Sequence, residues 1–237
     1  MPTTEQRERA LRILDGLAAR FPEATIELDY RAGDPWQLLV AVVLSAQSTD
    51  AGVNKVTPAL FAALPDVRAF AAATPQQVEG HIKTLGLFRN KAKSLVGAAQ
   101  AIVAKHGGEV PKERALLEEL PGVGKKSAAV IVANAFGEPA IAVDTHVGRV
   151  SKRLGLTAHD DPWKVEQDLT ALWPRARLLE AHHTLIWHGR RLCHARKPAC
   201  AECPVERWCK KVGVATSSSK TRTKPARPAR RARAPRR

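Results

Sequence analysis

The sequence lacks any apolar run long enough to cross a membrane. Its longest candidate, Leu38 to Ala46, ends at Gln47, short of the roughly 18 to 20 residues that a span needs. The polar start, Met1 to Arg7, has neither the apolar core nor the small-residue cleavage site of a secretory signal. We therefore expect an intracellular protein without a membrane span.

Strand-forming patterns are also scarce. Aromatic residues make up only 5% of the 237 residues, and no alternating runs of Val, Ile or Thr occur. Helix signals are frequent instead: a capping box at Thr3 and Gln6, and Pro at the first helical position in Asp34-Pro35, Thr74-Pro75 and Asp161-Pro162. Gly107, Gly137 and Gly155 follow helical patterns as expected stops. These features predict an all-α fold of about ten short helices.

Acidic residues are absent after Gly213, where nine Lys and Arg follow. Residues 1–212 retain 29 basic against 23 acidic residues, or +6 of the total +15. Such a balance favours polyanions such as nucleic acid. The tail, 213–237, cannot bury apolar surface and is expected to be disordered. It acts either as a solubilising segment or as an arm that binds phosphates.

Cysteine is scarce as well, and its placement is informative. The four residues lie within seventeen positions and follow the spacing C-x6-C-x2-C-x5-C: Cys193, Cys200, Cys203 and Cys209. In an intracellular protein such clustering indicates metal binding rather than disulfides. Four thiolates suit either tetrahedral zinc or an iron–sulfur cubane.

A short turn, Pro121 to Lys126, separates two helical patterns at about 112–119 and 126–136. Its glycines, Gly122 and Gly124, allow positive φ and expose backbone N–H groups at the start of the next helix, where an anionic oxygen is favoured. Val123 between them can pack back between the helices. The turn could be a plain helix connection, but the adjacent Lys125 and Lys126 favour contact with phosphate.

This turn resembles the helix-hairpin-helix of DNA-repair glycosylases. Eighteen residues after Lys126 comes Asp144, in a segment that matches the catalytic-aspartate segment of that superfamily. The cysteine spacing matches its 4Fe-4S loop, and Leu44 to Asp50 and Gly86 to Ala92 resemble two further signature stretches. The similarity runs in order from about residue 5 to residue 211 and points to the endonuclease III family.

The resemblance implies a bifunctional DNA glycosylase and abasic-site lyase that excises oxidised or ring-saturated pyrimidines, of the thymine glycol type, from duplex DNA. Loss of a base builds positive charge on the sugar, which a carboxylate stabilises and a nucleophile captures. Asp144 and Lys126 are the implied carboxylate and nucleophile. Related adenine glycosylases carry a small hydroxyl residue in place of Lys126, and usually a further C-terminal domain; this chain has neither feature.

Further roles are implied for residues around these two. DNA would be contacted by the hairpin and by two side chains that fill the gap left by a flipped nucleotide: Gly122, Val123, Gly124, Lys125, Gln47 and Leu87. Ser45 and Glu118 match positions that line the pocket, while His146 is either a core or a supporting residue. The family's cofactor would be a 4Fe-4S cluster held by the four cysteines, with zinc as the alternative.

The implied architecture has two helical domains with the active site in the cleft between them. One is a central bundle of about residues 28–138, with the helix-hairpin-helix at about 112–136. The other joins residues 1–27 to 139–212 and holds the cluster. The expected partner is double-stranded DNA with damaged pyrimidines or abasic sites, bound by a monomer in the bacterial cytoplasm at the nucleoid.

Two alternatives remain at this point. A related glycosylase could act on mismatched thymine or uracil instead of damaged pyrimidines. A noncatalytic iron–sulfur protein could use the hairpin and the basic tail only to bind DNA, with Lys126 as a phosphate contact. The presence of both Lys126 and Asp144 argues against the second alternative.

Overall fold

The computed structural model describes residues 1–214, which form helices and connecting turns without a strand. The all-α prediction is therefore confirmed. None of the described helices is both long and apolar enough to pass through a membrane. The predicted tail lies outside the described residues from position 215 onward. The helices are α1 (Thr4–Arg20), α2 (Pro35–Ser45), α3 (Asp50–Ala63), α4 (Val67–Ala72), α5 (Pro75–Ile82), α6 (Phe88–His106), α7 (Arg114–Glu118), α8 (Lys125–Phe136), α9 (Thr145–Leu154), α10 (Pro162–Leu172) and α11 (Leu178–Arg191).

Local signals define most of the helix ends. The side chain of Thr3 accepts from the backbone of Gln6, and the Gln6 side chain accepts in return from the Thr3 backbone, which completes the predicted capping box. The predicted Asp-Pro and Thr-Pro starts cap α2, α5 and α10. Gly107, Gly137 and Gly155 end α6, α8 and α9 in the left-handed conformation that glycine adopts without strain.

The helices pack into two main apolar cores. The first surrounds α2, which is buried from Trp36 to Leu44 and packs against α3, α6 and α8. The second joins α1 to α9, α10, α11 and the cysteine loop. The indole N–H of Trp173 donates to the carbonyl of Ala10 at 2.9 Å, which ties the N-terminal helix to the later part of the chain.

Two arginines connect the elements of the first core to those of the second. Arg114, just inside α7, binds both carboxylate oxygens of Glu166 in α10. Arg190, near the end of α11, donates to Asp50 at 2.7 Å and also to Glu27. Bidentate and partly buried guanidinium pairs of this kind have a defined geometry. They hold the two cores on either side of a cleft.

Candidate active site

The cleft between the two cores has a volume of about 800 Å³ and is lined by elements from both. The end of α2, the first turns of α8, the start of α9 and one face of α11 all contribute. Five residues singled out from the sequence lie in its lining: Ser45, Gln47, Lys126, Asp144 and His146. The structure therefore brings Lys126 and Asp144 to one cavity although they are on different helices.

The hairpin beside the cleft has the backbone that a phosphate contact requires. Gly122 has φ of +81°, and a Cβ there would lie 2.6 Å from Cβ of Ser94. Gly124 has φ of −94°, so the positive φ allowed for both glycines occurs only at Gly122. A Cβ at Gly124 would meet nothing within 4 Å, and no side chain caps α8. The first N–H groups of α8 therefore remain available to an anion.

Val123 anchors this hairpin to the protein. Its side chain is only 4% exposed and belongs to the first apolar core. The backbone N–H of Val123 donates to the carbonyl of Leu120 at 3.0 Å, which closes the turn. The burial of Val123 agrees with the packing expected from the sequence. A buried valine between two exposed glycines fixes the position of the flanking N–H groups.

The two adjacent lysines have different surroundings. Lys126 lines the cleft, whereas the ammonium of Lys125 lies 5.5 Å from the ring centroid of Trp163 at the start of α10. Trp163 is 50% exposed. A cation near the face of an indole is attracted by about 0.5–1 kcal/mol at an exposed site. Trp163 therefore holds Lys125 beside the hairpin, outside the cleft.

Asp144 is fixed in position as the N-cap of α9. Its Oδ1 accepts from the backbone N–H groups of His146 at 2.8 Å and Val147 at 2.7 Å. Its other oxygen, Oδ2, accepts no hydrogen bond from residues 1–214. One oxygen is therefore used for the fold, and the other is available for a ligand in the cleft.

His146 is held as a neutral side chain. Burial lowers its pKa; the nearby carboxylate of Asp144 opposes this shift, and the charges of Arg149 and Arg190 add to it. Its Nδ1 lies 3.2 Å from Nη2 of Arg149. Because a guanidinium can only donate, Nδ1 accepts and the ring proton is on Nε2. His146 thus contributes a polar but uncharged wall beside Asp144.

Sequence reasoning missed two histidines on α11 that line the cleft. His182 is buried, and its pKa is lowered to about 3 by burial, with smaller contributions from the charges of His183 and Lys126. The pKa of His183 is lowered to about 4 by burial, and its Nε2 lies 3.0 Å from Oδ1 of Asn134. The available signal was the adjacent pair His182-His183 between the apolar residues Ala181 and Leu185. Both rings stay neutral in the cleft that Lys126 also lines.

Gln47 and Leu87 share an unusual backbone. Both have left-handed φ, +53° and +58°, which costs a residue other than glycine roughly 1–2 kcal/mol. Leu87 is a large apolar side chain with 52% of its surface exposed, and it lies outside the cleft lining. Strain and exposure of this kind persist where function or surrounding contacts maintain them.

The remaining two pocket candidates have different positions. The Ser45 hydroxyl lines the cleft and donates to the carbonyl of Val42 at 2.9 Å. Glu118 is not among the cleft-lining residues. Its carboxylate accepts from Nε of Arg114 at 3.1 Å, because Arg114 lies one helical turn earlier. The same arginine also binds Glu166.

The four cysteines surround one small, separate pocket: Cys193, Cys200, Cys203 and Cys209 all line it. No three His, Cys, Asp or Glu side chains in residues 1–214 converge as ligands of a single ion. The thiols are instead distributed around the pocket, together with apolar residues such as Leu154 and Leu192. Four thiolates at the wall of a largely apolar pocket are a suitable ligand set for a cubane cluster.

Arg153 of α9 braces this loop from the second core. Its guanidinium donates to the carbonyls of His194 at 2.7 Å and Ala195 at 2.9 Å. It also approaches Sγ of Cys193 at 3.4 Å. The start of the cysteine loop is therefore attached to the helix that Asp144 caps.

Comparison with known proteins defines the class to which this fold and site correspond. Residues 40–175 match the family described as HhH-GPD superfamily base excision DNA repair protein. Residues 193–209 match the iron–sulfur binding domain of endonuclease III. The loop is therefore the ligand loop of a 4Fe-4S cluster, as the resemblance implied, rather than a zinc site.

The chain belongs to the endonuclease III family of base excision repair DNA glycosylases with abasic-site lyase activity. It is 48% identical to endonuclease III of Synechocystis sp., over 86% of this chain and 93% of the relative. It is 41% identical to endonuclease III of Escherichia coli K12, over 86% of this chain and 95% of the relative.

Solved structures agree with this assignment. The chain resembles a trapped covalent intermediate of endonuclease III with DNA at a TM-score of 0.82 and 44% identity, covering 89% of this chain and 97% of that one. It also resembles a thermostable thymine-DNA glycosylase at a TM-score of 0.77 and 23% identity, covering 88% and 98%. The second likeness concerns the fold alone.

Proposed function

We propose that this protein removes oxidised or ring-saturated pyrimidines from duplex DNA and then cleaves the strand at the resulting abasic site. The observation that supports this most strongly is the pairing of Lys126 and Asp144 in one cleft. An amine and a carboxylate that converge from different helices can act on opposite sides of a single sugar. A protein that only bound DNA would need neither group inside a cavity.

Excision begins with charge development on the deoxyribose. As the bond from C1′ to the damaged base breaks, positive charge builds on the sugar, and the free Oδ2 of Asp144 stabilises it electrostatically. The amine of Lys126 bonds to C1′ through its nitrogen lone pair, the base leaves with the bonding electrons, and the proton that the nitrogen gives up goes to the departing base. His146 and His182 stay uncharged, so they add no positive charge that would oppose this step.

Strand cleavage follows from the covalent adduct. Opening of the sugar ring gives an imine between Nζ of Lys126 and C1′, which acidifies the hydrogens on C2′. Loss of a C2′ proton expels the 3′ phosphate oxygen by β-elimination, so the strand breaks 3′ to the lesion. Water then hydrolyses the imine and returns the free lysine.

Binding of the damaged duplex involves several surfaces. The open N–H groups after Gly124 and the ammonium of Lys125 contact the backbone phosphates. Gln47 and Leu87 enter the base stack when the damaged nucleotide turns into the cleft. Because these contacts all lie on one chain, a monomer suffices. The site of action is chromosomal DNA in the bacterial cytoplasm, at the nucleoid.

The same proposal divides the chain into a central domain, about residues 28–138, and a cluster domain formed by 1–27 and 139–212. The separation of the two main apolar cores supports this division. In the second domain the four cysteines would hold the 4Fe-4S cluster. The cluster would crosslink the cysteine loop rigidly. This loop carries Arg196, Lys197 and Arg207, which would then present a fixed basic surface to DNA.

A panel of duplexes tests the substrate class. Single-turnover assays compare four duplexes, which carry thymine glycol, a second ring-saturated pyrimidine, a G·T mismatch or a G·U mismatch. Released base and strand nicks are measured separately. We expect both products from the damaged pyrimidines. Release from the mismatches alone would assign the chain to the mismatch-acting alternative, and binding without release of any base would refute the enzymatic proposal.

A further inference from the structure

Two loops with strained residues touch each other at the rim of the cleft. Gln47 follows α2 and Leu87 precedes α6, and both have a left-handed backbone. A Cβ added to Gly86 would lie 3.6 Å from the carbonyl oxygen of Gln47. The two loops are therefore in near contact, and the position of one depends on the position of the other.

Lys91 connects these loops. Its backbone N–H donates to the carbonyl of Leu87 at 3.0 Å, which begins α6. Its side-chain ammonium donates to the hydroxyl of Ser48 at 2.7 Å. Ser48 directly follows Gln47, and its own N–H donates to the carbonyl of Ser45 at 3.0 Å. One residue thus holds the residue next to Gln47 and the carbonyl of Leu87 at the same time.

The charge of Lys91 makes this connection unusual. Only 5% of the residue is exposed, and burial lowers the pKa of its ammonium. It forms no ion pair with a carboxylate within residues 1–214. Burial of an ammonium against a single hydroxyl is unfavourable compared with an apolar side chain of similar length. Core packing alone does not account for a lysine here, whereas a fixed geometry between the loops does.

We propose that Lys91 is a positioning residue that holds Gln47 and Leu87 at a fixed separation, so that both enter the duplex together when a damaged nucleotide turns out. The inference rests on the proposed function and assigns Lys91 no contact with the reacting sugar. Loss of the Lys91 side chain therefore slows capture of the nucleotide that has turned out of the duplex, whereas the chemical steps at Lys126 keep their intrinsic rates.

The test compares two variants that break the connection with two that leave it intact. Lys91→Met keeps the length of the side chain without the charge, and Ser48→Ala removes only the acceptor. Lys93→Met removes a charge from an exposed position on the same helix. Ile102→Val lowers stability in the same helix away from the loops. Melting temperatures are measured for all four.

Insertion of Gln47 and Leu87 into the duplex is measured directly with 2-aminopurine placed opposite a tetrahydrofuran abasic analogue. The fluorescence of 2-aminopurine rises when the neighbouring base stack opens. We expect Lys91→Met to slow this change, and single-turnover excision of thymine glycol, by roughly tenfold, as the loss of a hydrogen bond to a charged group would. Ser48→Ala shifts both in the same direction, and the double variant is no worse than Lys91→Met. Both control variants behave as wild type.

A second substrate separates positioning from a general structural role. When thymine glycol lies opposite a gap, no orphaned base needs to be displaced, so the defect of Lys91→Met shrinks to less than about twofold if the lysine only positions the two loops. An equal defect on both substrates, or a defect matched by Ile102→Val, overturns the proposal. Wild-type protein that excises nothing refutes the proposed function itself, whereas normal insertion by Lys91→Met refutes only this inference.

Discussion

Replacement of Asp144 by Asn and by Ala separates its two tasks, because one oxygen serves the fold and the other is free. In Asp144→Asn the amide oxygen can still accept from His146 and Val147, at the 2.8 and 2.7 Å positions of Oδ1. Asn is as good an N-cap as Asp. We therefore expect the melting temperature of Asp144→Asn to stay within about 2 °C of wild type.

Asp144→Ala loses the cap as well as the charge. Removal of an N-cap acceptor costs about 1–2 kcal/mol, and for a chain of this size that lowers the melting temperature by about 2–8 °C. Loss of the cap destabilises the second core because α9 buries three residues there, Val147, Val150 and Leu154. Both variants lack the carboxylate, so both should release thymine glycol roughly 10²–10³-fold more slowly in single-turnover assays.

The comparison of the two variants decides whether this reasoning holds. Scanning calorimetry and single-turnover base release are run on the same preparations. If Asp144→Asn is as destabilised as Asp144→Ala, the capping geometry is wrong. If Asp144→Asn keeps wild-type excision, the carboxylate does not stabilise charge on the sugar, and the role proposed for Asp144 fails.

Three further predictions concern the hairpin, the buried histidines and the cysteine loop. Gly122→Ala should destabilise the protein, since φ at this position is +81° and the added Cβ would meet Ser94. Gly124→Ala should keep the stability but bind duplex DNA less tightly in fluorescence anisotropy. Equal losses of stability in the two variants would contradict this contrast. Because the pKa of His183 falls from 6.5 to about 4 on burial, the unfolded chain binds the proton first as the pH drops. The stability that depends on neutral His183, roughly 3 kcal/mol, is complete above about pH 6.5 and is lost as the pH falls towards 4. Urea midpoints measured across this range should therefore vary less in His183→Gln, and an unchanged profile would refute the assignment. Arg153→Met removes four contacts to the cysteine loop, so a chelator should extract iron faster than from wild type, and equal extraction rates would show that the brace is not needed.

Features that depend on residues three or four positions apart were predictable from the sequence. The capping box at Thr3, the N-cap role of Asp144 and the glycine stop at Gly155 all arise from contacts within one helical turn. Such contacts depend on residue type and spacing, which a sequence displays directly. The order of the helices and the position of the hairpin followed from the same signals.

Features that depend on distant partners were not predictable. Glu118 matched a pocket position, but Arg114 binds it together with Glu166, which is 52 residues from Arg114 in the chain. Lys91 is one of many lysines in the sequence, and only the fold shows that it is buried against Ser48, 43 residues earlier. Long-range pairing of this kind is set by how the helices pack, which local patterns do not encode.

Borohydride trapping tests the central claim, that Lys126 is the nucleophile, most directly. Wild type, Lys126→Ala and Lys125→Ala are incubated with duplexes that carry thymine glycol or an abasic site, and borohydride reduces any imine to a stable crosslink. Lys125, held beside Trp163 outside the cleft, is the matched control. We expect wild type and Lys125→Ala to crosslink and Lys126→Ala not to, with the adduct mapped to Lys126 by mass spectrometry. Trapping by Lys126→Ala at the wild-type level, or an adduct on another residue, would contradict the account.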